Sequence, residues 1–167
     1  MTEPATKTVR PDMAFLLSHP AHWIALGGGS GLSPYAPGTV GTLVAIPLHM
    51  ILIGWLDAAA VLAVAGALFL IGCWASARTA IDLGEVDHGG INIDEIAAFL
   101  VVLAIAPDGW LWQAFAFGVF RFFDIVKPPP IRFFERSIPG GFGVMFDDLL
   151  AAGYTLLVLV ITYRVLA

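Results

Sequence analysis

Residues Phe122–Asp148 read FFDIVKPPPIRFFERSIPGGFGVMFDD, and the rest of the chain is organised around them. The stretch opens with Asp124 and Lys127 at the end of one apolar run and closes with Asp147 and Asp148 at the start of the next. Three prolines between them stop a helix and stiffen its exit, and the glycines that follow allow close backbone approach. Asp124 stands near the C-terminal end of its run, where the helix dipole disfavours an anion, so capping does not account for it. Asp124 and Lys127 are three residues apart and share a helical face. They read either as an internal ion pair or as a metal-binding carboxylate beside a phosphate-binding ammonium. Asp147 reads either as the N-cap of the last segment or, with Asp148, as part of an acidic group.

The surroundings of that stretch are apolar. Of 167 residues 59% are hydrophobic and 13% charged, and the mean hydropathy is +0.87, which leaves too little polar surface to cover a water-soluble globule. The expected fold is therefore all-α, a polytopic membrane helical bundle of about four to five membrane segments with an N-terminal interfacial helix. Residues 1–26 read as a tail with short helical pieces at Met13–Leu17 and Trp23–Leu26, its first dozen residues mobile and no removed signal peptide. Residues 27–167 read as a single membrane-embedded domain. Apolar segments fall near Thr42–Leu56, Ala58–Ala77, Ile96–Ala106, Gly109–Val126 and Leu149–Leu166, and Gly27–Leu43 between tail and bundle reads as a structured loop. If all five segments cross, Lys7, Arg10, Arg78, Arg121, Lys127, Arg132 and Arg136 gather on one side and only Arg164 on the other. The positive-inside rule then puts the long loops in the cytoplasm and Trp55, Trp110 and Trp112 at the opposite interface. A net charge of −5 with dispersed bases argues against nucleic acid as a partner.

Two more stretches carry chemistry. In DHGGINIDE, Asp87–Glu95, acids entering an apolar segment complement the helix dipole. Asp94 and Glu95 are adjacent and do not share a helical face, which leaves them able to serve different partners, such as a metal and a capped helix end, while Asp87 and His88 sit in a turn able to fold back toward them. In GSGLSPYAPGTVGTL, Gly29–Leu43, backbone N–H groups with Ser30, Gly31, Ser33, Thr39 and Thr42 form a candidate phosphate cradle, without the lysine of a nucleotide-binding loop. Acids at membrane depth point to function, and together without a cation they would repel and take up protons. Mg²⁺ is the simplest ion to keep Asp94, Glu95, Asp124, Asp147 and Asp148 charged.

These four motifs, in this order over about Gly29 to Gly153, resemble the phosphatidylglycerophosphatase A family of bacterial membrane phosphatases. The resemblance implies a Mg²⁺-dependent enzyme of the inner membrane that hydrolyses phosphatidylglycerophosphate to phosphatidylglycerol and phosphate at the cytoplasmic face. It also implies metal-binding or acid/base roles for Asp94, Glu95, Asp124, Asp147 and Asp148. Ala98 stands where the family often has glycine.

On this reading the carboxylates hold Mg²⁺ against the phosphate, Lys127 and the loop N–H groups hold the remaining phosphate oxygens, and Glu95 is the candidate general base. An aspartyl-phosphate on one of the acids is the other route to hydrolysis. A cysteine-phosphatase loop is excluded, because Cys73 and Arg78 are one residue too close and Cys73 lies inside an apolar run. The rival from another class is a small ion-coupled transporter with a carboxylate-lined cation site, which would spread its acids through the depth of the helices.

Overall fold

A computed structural model describes residues 10–86 and 88–166. Helices run α1 (Met13–Ser18), α2 (Pro20–Ala25), a 3-10 turn (Gly27–Leu32), α3 (Pro37–Ile53), α4 (Ala58–Leu83), α5 (Ile93–Ile105), α6 (Trp110–Val126), α7 (Ile131–Ser137) and α8 (Gly140–Leu166), with no strand among the described residues. Several boundaries have a local cause. Asp57 caps α4, its carboxylate accepting from the Ala60 N–H at 2.8 Å, and Gly84 ends that helix in the left-handed region at φ 76°. Proline opens both α2 and α3, where its fixed φ suits the first turn.

The architecture is a bundle built around its shortest long helix. Ten of the 13 residues of α5 are buried, among them Phe99 and Leu100 at 0% exposure, and α3, α4 and α8 pack around it. Phe99 meets Phe117 of α6 edge-on and Phe120 at a tilt, which closes the remaining side. At about 1.5 Å per residue α5 spans roughly 20 Å, well short of a ~30 Å hydrocarbon core.

Of the expected four to five membrane segments, two helices among the described residues, α4 and α8, are long and apolar enough to cross a membrane. Hydropathy alone cannot separate a buried central helix such as α5 from a lipid-facing one, because both are apolar all round. Two expected loops also contain helix. Gly27–Leu43 holds the 3-10 turn and the first two turns of α3, so Thr39 and Thr42 are helical, and the 127–148 stretch holds α7 and the start of α8. The expected N-terminal helical pieces appear as α1 and α2, and they are docked: Ala21, Ala25 and Leu26 are fully buried, and His22 Nε2 lies 2.8 Å from Asp82 Oδ2 of α4. The expected mobile tail falls, up to residue 9, outside the described residues.

α4 and α8 approach closely because small residues line their contact. A Cβ on Gly141 would strike the backbone carbonyl of Cys73 and stand 2.7 Å from the backbone nitrogen of Ala77, and neither can swing away. Gly153, further along α8, faces open space. Gly141→Ala is expected to destabilise the detergent-solubilised protein by about 1–3 kcal/mol through overpacking, whereas Gly153→Ala stabilises it by up to about 1 kcal/mol through helix propensity. Thermal unfolding of the two variants beside the parent checks both signs.

Candidate active site

Asp94 and Glu95 lie in the first turn of α5, and Asp147 and Asp148 lie two turns inside α8. Asp147 is thus no N-cap, because α8 begins at Gly140, earlier than the acids suggested. One carboxylate oxygen from each of Asp94, Glu95 and Asp148 falls within 4.8 Å of the others, and the three residues are only 7%, 9% and 3% exposed. The adjacent acids converge with Asp148 although neighbouring helical positions do not share a face. Both acid pairs share one local device: the Glu95 N–H donates to Asp94 Oδ1 and the Asp148 N–H to Asp147 Oδ1, each at 3.1 Å.

Two oxygens of this group are left over. Glu95 Oε2 and Asp148 Oδ2 are buried without a hydrogen-bond partner, a costly condition for carboxylates gathered in one place. An all-oxygen, anionic, convergent donor set fits a hard divalent cation such as Mg²⁺.

Asp124, in the last turn of α6, is 9% exposed and paired with Arg121 rather than with Lys127. Arg121 Nη1 lies 2.6 Å from Asp124 Oδ2, 3.3 Å from Thr42 Oγ1 and 3.5 Å from Glu95 Oε1, so one guanidinium ties α3, α5 and α6 together at the acids. The expected Asp124–Lys127 pair fails because Lys127 is the C-cap of α6, in the left-handed region at φ 46°, and no longer follows the helical face. Its ammonium instead bonds Glu135 Oε1 at 2.8 Å and Asp147 Oδ2. Burial works against that charge, but the negative charge of Asp147 and the hydrogen bonds to Asp147 and Glu135 outweigh it and hold the ammonium above the ordinary lysine range.

The glycine-rich motif mostly knits the bundle at the acid end. Gly31 packs against the backbone of Gly90, and a Cβ on Gly38 would collide with Glu95 Oε1, so glycine there leaves room for the carboxylate. Ser30 donates to the Gly27 carbonyl, Ser33 to the Tyr35 carbonyl and Thr42 to the Gly38 carbonyl, while Thr39 is half-buried on α3. Of these hydroxyls, Thr42 alone is hydrogen-bonded to Arg121 among the described residues. The His88 ring accepts from the Gly90 N–H at 3.0 Å as a turn residue, and Asp87 lies outside the described residues.

Three participants escaped the sequence reading. Arg121 is a lone cation in the apolar run AFAFGVFRFFD, three residues before Asp124, and that spacing was the signal for a partner on the same face. Asn92 is fully buried just ahead of the Asp94–Glu95 pair and donates to Ser30 Oγ at 2.9 Å and to the Pro37 carbonyl at 3.0 Å, joining the glycine-rich motif to α5. Glu135, the second partner of Lys127, had no sequence signal beyond being an acid in a basic stretch.

Residues 23–163 match the family model described as Phosphatidylglycerophosphatase A. The Haemophilus influenzae protein named Phosphatidylglycerophosphatase A is 45% identical over 143 residues, covering 85% of this chain and 88% of the relative. The Escherichia coli protein of the same name is 41% identical over 138 residues, covering 81% of this chain and 78% of the relative. No solved structure matches the chain.

If the convergent carboxylates repel in the absence of a cation, removing one charge relieves the strain. Asp148→Asn is expected to raise the thermal stability of the protein in chelator by about 1 kcal/mol or more. A site that binds a divalent cation gains about 2.7 kcal/mol at a hundred times its dissociation constant, and Asp148→Asn should lose most of that gain. Thermal unfolding with and without added Mg²⁺ measures both effects.

Proposed function

The chain belongs to the phosphatidylglycerophosphatase A family, and from that premise we propose that Asp94, Glu95 and Asp148 hold Mg²⁺ for its phosphatase chemistry at the cytoplasmic face of the inner membrane. The enzyme is a phosphoric monoester hydrolase that releases phosphate from phosphatidylglycerophosphate and leaves phosphatidylglycerol. The observation that carries the reading is the meeting of carboxylates from α5 and α8 in a buried place, with Glu95 Oε2 and Asp148 Oδ2 left without partners.

Cleaving a phosphomonoester requires its charge to be neutralised, a nucleophile delivered in line and the leaving alkoxide stabilised. A bound Mg²⁺ supplies neutralisation of the phosphate and a lowered pKa for the attacking water. The chain's own residues do the rest. Asp124 holds the Arg121 guanidinium beside Glu95, placing a planar fork of donors where phosphate oxygens arrive. Lys127, kept charged by Asp147 and Glu135, adds a second positive centre at the same end of the bundle. Glu95 offers Oε1 toward Arg121, which leaves its unpaired Oε2 for the ion. The glycine-rich turn and Thr42 line the approach to these groups. Acids gathered at one end of the bundle suit hydrolysis of a headgroup at a membrane surface better than an ion path through it.

Phosphate release from phosphatidylglycerophosphate by the purified protein, with and without Mg²⁺, tests the assignment. Asp148→Asn, Glu95→Gln and Arg121→Ala are each expected to lower turnover by about 10²-fold or more, the scale on which electrostatic groups at a transition state count. Turnover within a few-fold of the parent in all three would remove the site.

A further inference from the structure

Resting on the phosphatase reading above, we propose that the apolar groove between α4, α5 and α8 holds one acyl chain of the lipid substrate while its phosphate sits at the carboxylates. The groove encloses about 390 Å³ and is lined by Leu62, Ala65, Gly66 and Leu70 of α4, Ala98 of α5 and Leu149 of α8, all apolar. Two spacings in the chain bring its lining near the acids. Leu149 follows Asp148 in the chain, and Ala98 stands four residues after Asp94 and three after Glu95, on the same face of α5. Asp148, 3% exposed with Oδ2 unpartnered, thus stands one residue from the trough's lining.

The shape suits a hydrocarbon tail. Ala65 and Ala98 form a buried floor at 1% and 3% exposure, and nothing lies within 4 Å of the place where a Cβ on Gly66 would stand. From Leu70 to Leu62 the trough follows α4 for about 12 Å, most of one leaflet of a ~30 Å hydrocarbon core. A two-tailed lipid whose terminal phosphate reaches buried carboxylates must send its chains away from them through apolar surface, and this trough begins beside them. A second groove, of about 490 Å³, runs past Gly118 between α6 and α8. It starts at Phe123, beside Asp124, and takes no lining residue from α5, which carries two of the three carboxylates.

Filling the trough tests the assignment. Phosphate release is measured on dipalmitoyl and dihexanoyl phosphatidylglycerophosphate in detergent micelles for the parent, Gly66→Trp, Gly66→Leu and Gly118→Trp, with thermal unfolding as the check on folding. Gly66→Trp is expected to lower the long-chain to short-chain ratio of kcat/KM about tenfold or more, because a displaced tail drags the phosphate from its attack position. Gly66→Leu, the milder filling, should lower the ratio in the same direction, and Gly118→Trp should leave it at the parent's value. The proposal is overturned if the folded Gly66 variants keep the parent's ratio, or if Gly118→Trp alone shifts it. If the parent releases phosphate from neither lipid, the phosphatase reading itself falls and takes this inference with it.

Discussion

Carboxylates forced together in a poorly solvated place repel one another, and the arrangement of Asp94, Glu95 and Asp148 is the constraint around which this bundle is built. The three side chains come from the start of α5 and the third turn of α8, so the cost of gathering them is carried by the packing of two helices that otherwise meet through apolar side chains. A free-standing pair of acids at a helix start would be unremarkable as dipole compensation. Bringing in a third from another helix, with two oxygens unsatisfied, makes sense when a divalent cation completes the group.

The remaining elements manage that charge. Arg121 reaches from α6 between Asp124, Glu95 and Thr42, and Lys127 leaves the end of the same helix to join Asp147 and Glu135. Six carboxylates thus face two cations, an excess of negative charge that suits an added metal ion and, through it, a phosphate. Glycine is used where space is the requirement: Gly38 beside Glu95, Gly31 beside Gly90, Gly141 beside Cys73. Asn92 ties the glycine-rich turn to α5, so the motif that resembled a phosphate cradle also fixes the helix bearing two of the acids.

Much of this was legible in the sequence, and the failures have physical reasons. The helical class followed from apolar runs with few interruptions, and the family followed from four motifs whose order no composition argument could supply. Asp94, Glu95 and Asp148 stood out because charge is rare in so apolar a chain. That acids from distant segments meet was expected; which three come closest was not legible, since it depends on α8 starting at Gly140 and running past the N-terminus of α5. Lys127 was misread because a helical face was extended one residue beyond the point where the backbone turns left-handed. Arg121 was counted as one basic residue among several, although its spacing from Asp124 announced the pair. Length and composition support two of the expected membrane segments, α4 and α8, among the described residues, and α5, apolar all round, is buried by its neighbours.

The account turns on one ion held by one set of side chains. Titrating the purified protein with Mn²⁺ as a magnesium substitute, with bound ion followed by EPR and phosphate release read in the same samples, tests it most directly. The expected result is saturable binding whose occupancy tracks turnover, lost together in a variant carrying Asp94→Asn, Glu95→Gln and Asp148→Asn. Equal Mn²⁺ binding by parent and triple variant, or full turnover without bound ion, would contradict it.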